Sequence, residues 1–318
     1  MKRLLRLLMW LILIVVGLLV IAAAYIAIKG IPTYVAKDPG LKIEVTEARV
    51  VRGLKIAKSL CIECHKADND ISLSGKAVID VPDEFGKIFS RNITNHPEIG
   101  IGKWTDGQIA YLLRTGVGRD GRYYPPYMPK FANMSDEDLA SVIAFLRSDN
   151  PMVQASDSEP RAAEPSFLVK VLCNLMMKPL PYPDKAIIAP DTNDLLKYGR
   201  YIVAGAFVCY ECHSADFKTN NQLMPEKSPG YLGGGNVMNG LEGKKVASAN
   251  LTPDKATGIG SWTEAEFLTY LKTGQGKNGS MRYPMVPYSH LTDNELKAIY
   301  AYLQTVPAIS NEVNRNVD

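Results

Sequence analysis

Two five-residue segments carry the chemistry available to this sequence. Cys61-Ile62-Glu63-Cys64-His65 and Cys209-Tyr210-Glu211-Cys212-His213 both read C-x-x-C-H, the pattern that attaches a c-type haem. Two thiols about one helical turn apart add to the two vinyl groups of one porphyrin, and the following imidazole lies under the iron and ligates it. Zinc would need four ligands per site at other spacings. A thioredoxin-like redox pair has no use for the following His. Disulfides are the first expectation for an exported chain, but four of the 5 Cys and two of the 4 His fall into these motifs. The expectation is two covalently bound haem c groups, attached by Cys61/Cys64 and Cys209/Cys212, with His65 and His213 as iron ligands.

Low-spin electron carriers close the iron with a second ligand, often Met. Downstream of each motif the sequence repeats itself, and the repeat selects the candidates. Pro125-Pro126-Tyr127-Met128-Pro129 and Tyr283-Pro284-Met285-Val286-Pro287 occupy equivalent places before the last repeated segment, so Met128 and Met285 are the paired distal ligands. Met281 has no Met counterpart in the first copy, and Met134 matches Leu291. His96 falls opposite Asp254 and His290 opposite Asn133, which makes both polar residues near a turn or cap, with His290 next in line for the second iron. Trp104/Trp262 and Asn92/Asn250 recur; each pair has a local structural role open to it, or a hydrogen bond to a haem propionate.

The repeat also defines the elements that must hold these groups. Asn92-Ile93-Thr94 returns as Asn250-Leu251-Thr252, and Gly100-Ile101-Gly102-Lys103-Trp104-Thr105 as Gly258-Ile259-Gly260-Ser261-Trp262-Thr263. The motifs are 148 residues apart and these later segments 158, so about ten extra residues lie between His213 and Asn250, where Gly230 to Gly235 reads as a loop insertion. Thr105…Gln108, Ser135…Asp138, Thr263…Glu266 and Thr292…Glu295 fit the capping box, each with a hydrophobic staple such as Trp104/Ile109 or Leu291/Leu296. Gly116 and Gly274 are C-cap glycines. Further helices are expected over about 50–61 and 195–209. Helix, haem motif, long loop, helix, Met-bearing loop and final helix together make the pattern of a class I cytochrome c. The fold class is therefore mainly α, with two tandem domains of this type at 30–148 and 195–306. A linker at 149–194 carries a short apolar helix, Phe167 to Met177, which is either buried between the domains or docked on a membrane or partner. Cys173 within it is a buried small residue. Residues 307–318 form a tail.

Leu7 to Ile28 is 22 residues without a charge, preceded by Lys2, Arg3 and Arg6. A helix of that length crosses a bilayer core, and the basic flank keeps the N-terminus inside. Signal-peptide cores are shorter, so 1–29 reads as an uncleaved transmembrane anchor, with cleavage near Ala22-Ala23-Ala24 as the competing reading. The haem domains then lie on the outer, periplasmic side of a bacterial cytoplasmic membrane. The formal charge of +3 is too small for an electrostatic nucleic-acid binder.

With the haem motifs, the N-[IL]-T…G-I-G-x-W-T segments and the Met-bearing Pro loops, the chain resembles the cytochrome c subunit of membrane-bound alcohol, aldehyde and gluconate dehydrogenases. The likeness covers about 45–306, including Lys178-Pro179-Leu180-Pro181 of the linker. It implies an electron-transfer subunit that takes electrons from a dehydrogenase, or a quinol-oxidising partner, and passes them to an acceptor such as a terminal oxidase, with no substrate chemistry of its own. The family departs from this chain in having three haem domains and a C-terminal amphipathic attachment. A dihaem peroxidase is the alternative; it needs one iron open to peroxide, against which two Met-bearing loops argue. A haem-based sensor would need an output domain.

Overall fold

The computed structural model describes residues 2–277 and 279–314; the end of the tail lies outside the described residues. The first helix, α1 (Lys2–Lys29), is one continuous apolar rod with none of its residues buried. By length and composition it can cross a membrane.

Two lobes follow. In the first, α2 (Glu47–Leu60) starts at Thr46, whose hydroxyl accepts from Arg49 N, and runs straight into the haem motif, α3 (Ile62–His65). The lobe is completed by α4 (Asp106–Thr115) and α5 (Asp136–Arg147). After the lobe comes α6 (Phe167–Leu175). The second lobe repeats the plan with α7 (Leu195–Arg200), the motif α8 (Tyr210–His213), α9 (Glu264–Thr273) and α10 (Asp293–Leu303). Strand content among the described residues is limited to three antiparallel pairs: β1–β2 (Gly86–Lys87 with Glu164–Pro165), β3–β4 (Val237–Asn239 with Lys245–Ala247) and β5–β6 (Gln275–Gly276 with Gly279–Ser280). The mainly helical expectation and the tandem arrangement hold.

In each lobe the first helix crosses the last at a glycine. A Cβ on Gly53 would overlap the carbonyl of Ser141, and one on Gly199 the carbonyl of Ala298. From that crossing to the first motif cysteine there are eight residues in lobe one and ten in lobe two. The two extra residues explain why the second helix does not run to 209 as expected. After Arg200 the helix widens into a π-helix, Tyr201–Ala206, with Phe207 N bonded to Ile202 O at 2.8 Å, and Val208 then turns through φ 45°. A π-turn is how a helix absorbs inserted residues without losing register on either side.

The capping boxes at Thr105, Thr263 and Thr292 are complete. The one expected at Ser135 is half of one. Ser135 accepts from Asp138 N, but the Asp138 side chain is too short to reach back and turns instead to Arg52 and Tyr201. Gly116 and Gly274 close α4 and α9 in the left-handed conformation, as expected.

The lobes share one hydrophobic core and meet across a pseudo-two-fold arrangement at two equivalent carboxylates. Asp138 of α5 is paired by Arg52 of its own lobe and accepts from Tyr201 Oη of the other at 2.5 Å. Glu295 of α10 accepts from Tyr198 of its own lobe and pairs with Lys55 of the other. Arg52/Tyr198 and Lys55/Tyr201 are each 146 residues apart, the same spacing as the crossing glycines.

The insertion in lobe two is placed by a bond common to both lobes. Gly75 N reaches His65 O at 2.8 Å, and Gly234 N reaches His213 O at 2.7 Å. Ten residues separate the first pair and 21 the second, so eleven extra residues lie within 214–233 and the glycine run only closes that segment. That segment grips lobe one: Asn133 Nδ2 donates to Gln222 O at 2.9 Å, Phe217 packs on Phe85 at 5.2 Å between ring centroids, and Lys218 pairs with Glu84 at 3.1 Å.

The apolar linker helix is neither wholly buried nor free. Val169, Cys173 and Met177 pack with Phe85, Val117 and Tyr123 in a second, smaller core, and the opposite face of α6 is exposed.

Candidate haem sites

Each motif opens onto a cavity lined mainly by apolar side chains. The first, about 280 Å³, is walled by Cys61, Cys64, His65, Trp104 and Met128. The second, about 430 Å³, is walled by Cys209, Cys212, His213, Trp262, Met281 and Met285. Four residues, Leu60, Cys64, Tyr127 and Pro129, line both. The two cavities therefore adjoin, and the second draws part of its wall from the motif and Met-bearing loop of lobe one.

The histidines are oriented alike. His65 Nδ1 meets Arg91 O at 2.8 Å and His213 Nδ1 meets Ala249 O at 2.8 Å. Donation from Nδ1 to a carbonyl fixes the tautomer and makes Nε2 the lone-pair nitrogen of each ring. Burial holds the His65 imidazole below its ordinary pKa and hence neutral. Burial also pushes the four motif thiols up to about 12, and no disulfide joins them.

In the Met-bearing loops the repeat register survives bond by bond. Met128 N bonds Pro125 O at 3.0 Å, and Met285 N bonds Arg282 O at 2.9 Å. Tyr124 N bonds Gly116 O, and Met281 N bonds Gly274 O. Met281 thus has a counterpart, Tyr124, and the two residues expected as distal ligands sit in the same turn of their lobes. The chemistry of each donor set, two thiols, an imidazole and a thioether around an apolar hollow, fits a haem c.

The remaining candidates take other roles. His96 Nδ1 accepts from Glu98 N and Ile99 N at a turn, and Asp254 caps the equivalent turn through Ala256 N and Thr257 N. His290 Nε2 meets Ser59 Oγ at 2.7 Å in the interlobe contact, and it lines neither cavity. Asn92 and Asn250 are committed to the backbone. Each Oδ1 accepts from the N–H and hydroxyl of the Thr two residues on, and each Nδ2 ties down the chain that leaves its lobe, at Ser156 O and Ser158 O or at Ile309 O. A propionate contact is unnecessary to explain them.

Sequence reasoning missed three features. Arg119 and Lys277 are repeat equivalents that lie over Trp104 and Trp262 at 5.7 and 5.2 Å from the ring and donate to Lys103 O and Ser261 O. Their 158-residue spacing was the available signal. Arg114 and Lys272 anchor the segment after each Met, described below. Lys130, two residues past Met128, is buried over the Tyr123 ring at 5.1 Å, and its amine has no hydrogen bond among the described residues. Burial drives it down to about 7, opposed by Glu211 and Cys173. Nothing in the sequence distinguishes it from a surface lysine.

The family model for cytochrome c matches residues 50–149 and again 199–307. The chain is 31% identical over 288 residues to the cytochrome c subunit of a quinone alcohol dehydrogenase of Gluconobacter oxydans, covering 86% of this chain and 58% of that one. It is 30% identical over 257 residues to a fructose dehydrogenase cytochrome subunit of Gluconobacter japonicus, covering 78% and 50%. A dihaem cytochrome c-type protein of Cereibacter sphaeroides matches at 30% over 260 residues, covering 78% of this chain and 82% of its own length. The chain spans about three fifths of the length of the alcohol dehydrogenase subunits it matches.

Proposed function

The chain belongs to the cytochrome c family, and from that premise we propose that it is a membrane-anchored dihaem carrier between a dehydrogenase and a respiratory acceptor. The observation that carries this reading is the shared wall of the two cavities, Leu60, Cys64, Tyr127 and Pro129.

The two covalently bound haem c groups supply one-electron redox chemistry, and the protein sets access, orientation and potential. Cys61 and Cys64 hold one, Cys209 and Cys212 the other. His65 and Met128 would ligate the first iron, His213 and Met285 the second. Met ligation would raise the potential and keep oxygen and peroxide off the iron. Trp104, Trp262 and the apolar linings exclude water. Arg119 and Arg91 line the first cavity and Arg282 the second, and these cations would meet haem propionates. None of the relatives named above is a peroxidase, and the carrier reading leaves no role for an enzyme site. Their names favour a dehydrogenase as donor; the acceptor is a quinone or a terminal oxidase reached from the outer face of the cytoplasmic membrane, where α1 tethers the lobes.

Full-length holoprotein captured from native membranes in mild detergent tests this. A dehydrogenase should co-purify, and its substrate should reduce both haems. Carbon monoxide binding to either reduced haem of the unmodified protein, together with peroxide turnover, would move the assignment to the peroxidase class.

A further inference from the structure

We propose that α6 is a membrane-docking helix, lying in the bilayer interface beside the point where α1 leaves it. The inference rests on the reading that α1 spans the membrane.

The face of α6 that points away from the protein is the wrong kind for water. With Val169 and Cys173 facing the core and Leu172 packed at its edge, a helical period of 3.6 residues puts Phe167, Leu168, Val171 and Leu175 on the opposite arc. Every one is apolar. Phe167 is 48% exposed, Leu168 42% and Leu175 68%, and Met176 at the C-cap is 68% exposed. The polar residues Lys170 and Asn174 sit at the edge between the two faces. At nine residues the helix is too short to span, and an apolar face this continuous marks an interaction site.

The occupant is set by what lies alongside. Asn174 Nδ2 donates to Gly30 O at 2.9 Å, the carbonyl immediately after α1. The chain beyond is fixed to lobe one: Tyr34 N bonds Gly121 O at 2.8 Å, and Ile31, Tyr34 and Ala36 pack on the same small core as Val169 and Cys173. The exposed face is thus held one side chain away from the membrane exit. Lys29 lies over the Tyr25 ring at 5.2 Å there, an aromatic–cation pair suited to headgroup level. Lys178 caps the other end of α6 through Asn174 O and Cys173 O. An apolar strip flanked by cations and continuous with a spanning helix matches a lipid surface with anionic headgroups. Tyr127, which lines both cavities, packs on the α6 core, so docking fixes the orientation of the haem pair to the membrane.

Nitroxide labels on full-length holoprotein in phosphatidylcholine–phosphatidylglycerol nanodiscs test this. Leu168→Cys, Leu175→Cys, Val15→Cys in α1 and Ile188→Cys on the exposed linker are labelled, and unsubstituted protein is the blank because Cys173 is buried. Collision with oxygen against a water-soluble nickel chelate reports depth. The ratio at 168 and 175 should exceed that at 188 several-fold and approach the value at 15. Ratios at 168 and 175 equal to that at 188 overturn the docking, and leave the face to a protein partner. Lipid contact at 15 with water at 168 and 175 sinks the docking alone. Water at all four sinks the anchor as well.

Discussion

The segment that follows each methionine is held by different means in the two lobes. In lobe one, Arg114 is fully buried and donates to Phe131 O at 2.7 Å, Met134 O at 2.5 Å and Asp136 Oδ1 at 2.8 Å. Its repeat equivalent is Lys272, which is part-exposed and pairs with Asp293. A guanidinium presents several fixed donors, whereas an ammonium is a flexible point charge. Lobe two thus has one flexible ion pair where lobe one has a buried clamp, and it spends its extra chain elsewhere, on the 214–233 segment that grips lobe one. The lesson is that the motif histidine and its carbonyl, the Asn–Thr turn and the methionine turn are kept identical, while the supports around them diverge.

The largest expected effect comes from removing attachment. Cys61→Ala with Cys64→Ala, or Cys209→Ala with Cys212→Ala, should each lose one haem by intact mass and haem-stained gel. Without haem the apolar walls of each hollow lose their packing partner, which destabilises the lobe they belong to. Each depleted lobe should therefore be cut by protease while its partner keeps its haem, with lobe two, whose hollow is the larger of the two, the more sensitive. A protease-resistant lobe without haem would break the comparison.

Ligand substitutions come next. Met128→Ala and Met285→Ala should each open one haem to carbon monoxide and abolish its weak sulfur-to-iron absorption. Met281→Ala should do neither, because Met281 occupies the place of Tyr124. If Met281→Ala opens the second haem and Met285→Ala is silent, the distal ligand must be reassigned.

Exchanging the clamps sharpens the contrast. Arg114→Lys leaves buried carbonyls of Phe131 and Met134 short of donors, for a loss of about 3 kcal/mol. On heating, the Met128 absorption of that variant should be lost early, where in the unmodified protein the Met285 signal goes first. Lys272→Arg should delay the second loss. Simultaneous loss of both signals in the unmodified protein would mean that the clamps do not set ligand lability.

Much of this was legible because repeated chemistry leaves repeated letters. The C-x-x-C-H motifs, the cap residues Thr105, Thr263 and Thr292, and the Gly116/Gly274 stops are local signals, and the structure keeps the helices they mark. What the sequence hid depends on contacts between distant segments. Gly53 and Gly199 read as ordinary helix glycines until Ser141 and Ala298 are seen against them. Asp138 reads as a capping partner until Tyr201 from the other lobe takes its carboxylate. The π-turn at 201–206 could be found only by noticing that the glycine spacing, 146, falls two short of the motif spacing, 148.

The smallest expected effect lies where the lobes touch. His290 in lobe two meets Ser59 Oγ, while the equivalent Asn133 in lobe one packs against Gly205. Burial, with Lys58 and Lys55 nearby, holds the His290 imidazole below its ordinary value, and Glu295 opposes this. The folded protein therefore binds this proton less readily than the unfolded chain. The stability it contributes is present above the unfolded pKa of about 6.5 and is lost as pH falls below that value toward the lowered folded one. Because the ring is only half-buried, the change is small, of order 1 °C in Tm. Between pH 7.5 and 5.5 the full-length holoprotein should lose slightly more Tm than His290→Asn, which installs the residue lobe one already uses. Equal slopes for the two proteins would show that the interface is insensitive to this proton and that the lobes are equivalent there too.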